Sequence, residues 1–264
     1  MQKVIGHIQA KERLINNLSV QSWLVCGKKG IGKATLVKAF ANWLLIKNYD
    51  SIALDLHIVE GDTIGVDEVR EMKKFLYLSS LQSEYRVAII DSLEAMTNNA
   101  KNAILKILEE PPKNSKIFIV SHKPHDIQTT IKCRCFQLTL LPLTYDETKQ
   151  VVLSQCKLDN KTFDEMMELF PGAPGMIINS NTHNDLYALL NNPSKIINSN
   201  IDLELASHIF QALILKNIKK DIHNAEVLLK KWKKIDELFI AAKQFYLDKK
   251  HVLANITNIL DMDK

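Results

Sequence analysis

The stretch Gly27-Lys28-Lys29-Gly30-Ile31-Gly32-Lys33-Ala34 decides the reading of this chain. It fits the pattern GxxxxGK. The apolar run Ser22-Trp23-Leu24-Val25-Cys26 comes before it and reads as a buried strand. Ala34 to Ile46 comes after it, with apolar spacing suited to a helix. Strand, glycine loop and helix in that order are the setting of a phosphate-binding loop. Glycines let consecutive backbone N–H groups curl around phosphate oxygens, and the helix N-terminus adds partial positive charge. Lys33 would reach the outer phosphates. Only 8 of the 264 residues are glycine, and three of those fall within six positions here. So sparing a use of glycine, then a cluster, marks a special loop. No glycine follows Gly175, which suggests long helices to the end.

The motif next wants a Ser or Thr hydroxyl for magnesium, and position 34 is Ala. Thr35 is adjacent, but one helical step turns a side chain by roughly 100°, so its hydroxyl is expected to point elsewhere. Val87-Ala88-Ile89-Ile90-Asp91 is an apolar strand ending in the acidic residue that supports magnesium in phosphate-loop NTPases. In many such ATPases a Glu follows directly and polarises water. Here Ser92 follows, and Glu94 comes two residues later. The candidate nucleotide-binding set is therefore Gly27, Gly30, Gly32, Lys33, Thr35 and Asp91, with the magnesium hydroxyl and the catalytic Glu both missing.

Outward from this core, strand-like runs at Ile52 to Val59, Arg86 to Ile90, Ile117 to Ser121 and Phe136 to Leu140 alternate with helical patterns at Val66 to Leu78 and Ala100 to Leu108. Alternation of this kind implies an α/β fold with a parallel sheet and helices on both faces. After Leu141-Pro142-Leu143 the strand pattern stops. Thr144 with Glu147 forms a capping box, and helices are predicted at 145–156, 161–169 and 174–190. The expected domains are residues 1–141, a phosphate-loop NTPase-like domain; 142–190, a small helical lid; and 191–264, an all-α oligomerisation domain.

Composition is that of a folded globular protein, 46% apolar and 24% charged. No apolar run approaches the ~20 residues of a membrane helix, and the N-terminus lacks a signal-peptide core. A cytoplasmic protein without membrane attachment is expected. Cysteines at 26, 133, 135 and 156 lack zinc-finger spacing. A net charge of +4 is a poor nucleic-acid footprint. Only four residues are Arg, at 13, 70, 86 and 134.

Further motifs carry a resemblance. Leu108-Glu109-Glu110-Pro111-Pro112, preceded by Asn98 to Lys106, resembles the LEEPP signature of AAA+ clamp-loader subunits. Cys133-Arg134-Cys135 resembles that family's Ser-Arg-Cys motif, with Cys133 in place of Ser. Val4-Ile5-Gly6-His7 is similar to its N-terminal adenine box, and Gly172-Ala173-Pro174-Gly175 to its lid motif. The likeness spans roughly residues 1–180. It is greatest to the delta-prime type of bacterial DNA polymerase III subunit. Ala34 and Ser92 favour that type, as do Met176-Ile177-Ile178 where the family's ATPases carry a sensor arginine, and His122 where the first sensor stands.

The resemblance implies an AAA+ fold with a C-terminal collar domain. It implies a non-hydrolysing subunit that helps load the sliding clamp onto primed DNA. Arg134 would then act in trans as an arginine finger on a neighbouring subunit's ATP. The partners so implied are the other clamp-loader subunits in a hetero-oligomer, the clamp indirectly, and primed DNA without sequence preference. The complex would belong to a DNA-directed DNA polymerase (nucleotidyltransferase) holoenzyme. ATP is expected to bind weakly or not at all. No zinc is expected, since no cysteine lies between 26 and 133, where the family's zinc module sits. The alternatives are an ATP-hydrolysing motor subunit of the same loader, a small-molecule phosphate-loop kinase, and a helical DNA-binding protein with a relic loop.

Overall fold

The computed structural model describes residues 4–45, 54–81, 83–179, 203–220, 222–245 and 247–261. It divides into two compact units. The first comprises residues 1–157 and 172–176, and the second 158–171 and 177–264. These units cut the chain at other places than the three expected domains.

In the first unit α1 (Ile8–Asn16) leads into β1 (Ser22–Cys26), and α2 (Lys33–Leu45) follows the glycine loop. Next come β2 (Leu56–Glu60), α3 (Val66–Tyr77), β3 (Arg86–Asp91), a 3-10 turn at Leu93–Ala95 and α4 (Asn98–Glu109). The unit continues with β4 (Ser115–Ser121), the short α5 (Thr129–Lys132), β5 (Phe136–Thr139) and α6 (Tyr145–Gln155). All strand pairs are parallel, in the order β2-β3-β4-β1-β5. Every residue of β1 and β4 is buried, which explains why they read as unbroken apolar runs rather than alternating ones.

Helices cover both faces of the sheet. Leu24, Ala88, Ile90, Ile117 and Ile119 form one core with Val69, Met72 and Leu76 of α3 and with Ala100, Ile104 and Ile107 of α4. The alternate residues face the other way. There Trp23 stacks with Phe118, and Phe40 of α2 meets Phe118 edge-on at 5.8 Å. α6 opens as expected: the Thr144 hydroxyl accepts from the Glu147 N–H, and Glu147 accepts from the Thr144 N–H at 2.9 Å.

β5 stops at Thr139, one residue short of the expected Leu140, and β2 differs more. β2 begins at Leu56, not Ile52; residues 52 and 53 lie outside the described set, and Leu54 and Asp55 form a turn. The Asp55 carboxylate is buried and fastens the approach to β3, accepting from Leu81 N at 2.8 Å and Ser83 N at 3.0 Å. Arg86 lies 3.8 Å from the same carboxylate. The predicted helix at 174–190 is described only as α8 (Pro174–Asn179). α1 has no counterpart in the sequence reading.

The second unit is helical throughout the described residues. It contains α7 (Asn160–Leu169), α9 (Leu203–Lys220), a 3-10 turn at Ile222–Asn224, α10 (Ala225–Phe245) and α11 (Lys249–Asp261). Its buried side chains include Phe163, Met166, Phe210, Ile214, Ile235, Leu253 and Ile256. Among the described residues no helix is long and apolar enough to cross a membrane.

Candidate functional site

Because the strands are parallel, their C-terminal ends share one edge of the sheet. Gly27 leaves β1 there, Asp91 ends β3 there, and Ser121 and His122 leave β4 there. Open α/β sheets place their ligand sites at this edge.

The glycine loop is held by the chain's own donors. Lys33 is the first residue of α2 and is only 3% exposed. Its ammonium donates to the Gly27 carbonyl at 2.8 Å and to the Lys28 carbonyl. His7 Nε2 donates to the Ile31 carbonyl at 2.8 Å. The Gly175 N–H donates to the Gly30 carbonyl at 2.8 Å. Gly30 has a φ of +80°, and a Cβ there would lie 2.5 Å from Met176 Cγ, so only glycine satisfies both the backbone and the packing. Segment 172–176, which contains the lid motif Gly172 to Gly175, thus lies directly on the loop within the first unit. Burial pulls the Lys33 amine down to about 8, against the pull of Glu94 and Asp91 towards the charged form.

Ala34 follows with no hydroxyl, and Thr35 is exposed on α2. Glu94 has a role that sequence reading missed. Its Oε1 accepts from Ser121 Oγ at 2.6 Å, His122 N at 2.9 Å and Lys123 N at 3.0 Å. Burial disfavours the carboxylate, yet these donors hold Glu94 below the usual carboxylate range. Glu94 therefore clasps the end of β4 to the turn after β3. Burial, with Lys33 nearby, pushes the His122 imidazole down. No signal in the sequence shows this clasp, because the donors lie 27 to 29 residues away.

Arg134 stands at the other edge of the sheet. Phe136 pairs with Trp23 in the β1–β5 register, four residues before Gly27, and Arg134 lies in the turn that precedes β5. At 3.3 Å per residue the start of β5 lies roughly 13 Å along the strands from the glycine loop, and Arg134 comes before it. Arg134 Nε donates to Glu109 Oε1 at 2.7 Å, Nη2 donates to the same oxygen, and Nη1 donates to the Thr130 carbonyl at 2.8 Å. The sequence-predicted residues therefore separate into two groups. Gly27, Gly30, Gly32, Lys33 and Asp91 gather at one end, with Thr35 beside them on α2; Arg134 sits alone at the other. Burial pushes the neighbouring Cys135 thiol up to about 12, leaving Cys133 as the exposed cysteine of the pair.

Known proteins share this architecture. A DNA polymerase III gamma subunit-related protein from Thermotoga maritima superimposes with a TM-score of 0.54 at 19% identity, covering 96% of this chain and 98% of that one. That likeness concerns the fold. Among curated proteins, DNA polymerase III subunit gamma of Buchnera aphidicola subsp. Schizaphis graminum is 26% identical over 62% of this chain and 51% of its own length. DNA polymerase III subunit delta' of Buchnera aphidicola subsp. Baizongia pistaciae is 35% identical over 37% of this chain and 28% of its own. The chain spans about half the length of the first curated relatives it matches. A family model described as "DNA polymerase III, delta subunit" matches residues 6–144, just over half of the chain. With the parallel sheet, the phosphate loop and the arginine motif in place, the chain belongs to that DNA polymerase III delta-subunit family of AAA+ clamp-loader proteins.

Proposed function

We propose that this chain is a delta-prime-type subunit of a bacterial clamp loader. In this reading it binds the other loader subunits, leaves ATP hydrolysis to a neighbour and lends that neighbour Arg134. The observation that carries the reading is the split between the two sheet edges. Arg134 precedes a strand whose start lies roughly 13 Å along the sheet from the chain's own glycine loop, a separation that suits a cation serving a site on another chain. An arginine finger supplies fixed positive charge to the phosphoryl group during transfer.

The chain's own loop supports the non-hydrolysing half of the reading. A hydrolysable magnesium nucleotide needs a hydroxyl at the start of α2 and a carboxylate placed to polarise water. Position 34 is Ala, and two of the three Lys33 N–H groups already go to the Gly27 and Lys28 carbonyls. Glu94 Oε1 is taken by three donors at β4, and Glu94 stands three residues after Asp91 instead of directly after it. These residues do not fit a hydrolysable magnesium nucleotide. Any role towards the clamp or primed DNA follows from assembly, with DNA contacts directed to phosphate rather than to bases.

The test is reconstitution with the loader subunits of the same organism. Co-purification in a stoichiometric complex and a collapse of ATP turnover in Arg134→Ala are expected. Failure to co-purify at stoichiometric concentration sinks the reading. The motor-subunit alternative keeps one observation in its favour, a glycine cradle with positive φ at Gly27, Gly30 and Gly32. Turnover by the isolated chain, abolished in Lys33→Ala, would establish that alternative.

A further inference from the structure

Arginine carries five N–H donors and no acceptor. In Arg134 the chain itself engages four of them. Nε and Nη2 each give one to Glu109 Oε1, the first at 2.7 Å. Nη1 gives one to the Thr130 carbonyl at 2.8 Å and one to Cys133 Sγ at 3.3 Å. A single N–H remains, on Nη2. Arginine grips phosphate most strongly through two parallel N–H groups, the same fork that grips a carboxylate. Held as it is, Arg134 has no free fork.

The four bonds differ in kind. Thr130 and Cys133 belong to the turn that carries Arg134 and move with it. Glu109 belongs to α4 and ends that helix, 25 residues away in sequence. Glu109 also occupies the Nε–Nη2 edge, one of the guanidinium edges shaped for an oxyanion. Both partners lie at the surface, with 28% of the Arg134 side chain and 47% of the Glu109 side chain exposed. A phosphate on another molecule can therefore reach this edge once the carboxylate gives way.

We propose that Glu109 is an internal latch that parks Arg134, and that delivering the guanidinium to a neighbour's nucleotide exchanges the Glu109 carboxylate for a phosphate oxygen pair. The proposal rests on the arginine-finger reading above. A parked cation lowers the neighbour's turnover by the fraction of time it is held. An exposed ion pair holds only weakly, so that fraction corresponds to a factor of about two to five. The latch keeps hydrolysis low until assembly of a productive interface favours the exchange.

The experiment uses the reconstituted complex, with steady-state ATP turnover measured without clamp or DNA. Four forms of this chain are compared: wild type, Glu109→Gln, Arg134→Ala and the double variant. Glu109→Gln keeps the shape of the helix end and removes the charge; thermal melting checks that each variant is folded. Glu109→Gln is expected to raise turnover about two- to fivefold. In the Arg134→Ala background the same substitution is expected to change nothing, an epistasis that a merely structural Glu109 would not show. A Glu109→Gln complex no faster than wild type, alongside a slow Arg134→Ala complex, overturns the latch and leaves the finger standing. So does an equal gain in both backgrounds. Unchanged turnover in Arg134→Ala overturns the finger, and the latch with it.

Discussion

The two edges of one parallel sheet carry the two cations that matter most here, and they are treated in opposite ways. At the C-terminal edge Lys33 is buried, its ammonium bonded to the carbonyls of the loop it would need to open. At the N-terminal edge Arg134 stays near the surface, paired with a carboxylate that solvent also reaches. Burial makes the first arrangement hard to undo, while exposure makes the second easy. The contrast is one of exposure: Lys33 is tied to its own loop inside the fold, while the pair that holds Arg134 is open to solvent.

The largest expected effect tests that asymmetry directly. Arg134→Ala should lower ATP turnover of the reconstituted complex by roughly a thousandfold, while the melting temperature of the isolated chain stays put. Lys33→Ala should do the reverse: turnover within twofold of wild type and a lower melting temperature. A complex in which Lys33→Ala is the slower variant breaks the comparison.

Next in size is a pH effect on the buried amine. Folding lowers the Lys33 value from 10.5 to about 8. Between these values the unfolded chain binds a proton that the folded chain releases, so stability rises with pH across that window. The gain is of the order of 3 kcal/mol, fully present above 10.5 and lost as pH falls through about 8. Urea unfolding of wild type and Lys33→Met at pH 8 and pH 10.5 reads it as a difference that Lys33→Met lacks. Equal pH slopes would mean the amine is not buried.

Glu94→Ala removes the acceptor of three hydrogen bonds and should destabilise the first unit by about 2 kcal/mol. Turnover of the complex is expected to stay unaffected, the result that separates a clasp from a base. A turnover loss without a stability loss would return Glu94 to the catalytic machinery. Smallest is a control remote from the nucleotide end, Thr144→Ala, which removes the α6 cap and should cost about 1 kcal/mol in urea unfolding. An effect as large as that of Glu94→Ala would show that the clasp is no stronger than an ordinary cap.

Much of the fold is legible in the chain because fully buried parallel strands leave a plain trace. Ser22–Cys26 and Arg86–Asp91 are read almost residue for residue, since neither face needs a polar side chain. α1 escapes for a matching reason. Only Ala10 and Leu14 are buried on it, and His7 at its start sits at a φ of +54° without capping it, so neither periodicity nor a cap announces a helix. Of the site, the glycines, Lys33, Asp91 and Arg134 are legible as motifs. Their pairings are not. Whether Lys33 faces a phosphate or a carbonyl, and whether Glu94 faces water or β4, is decided by packing across strands distant in sequence. Glu109 was readable as part of a signature, but not as the partner of Arg134.

The bond from the Gly175 N–H to the Gly30 carbonyl has a consequence for the order in which the molecule is made. The first unit is discontinuous: residues 158–171 depart to the second unit before 172–176 return to cover the glycine loop. During synthesis the sheet can assemble once β5 has emerged, but its loop stays uncovered until Gly175 leaves the ribosome. A chain ending at Lys157 should therefore be cut by trypsin at Lys28 and Lys29 far faster than the full chain. Resistance equal to the full chain's would mean that the return of 172–176 adds nothing to the loop.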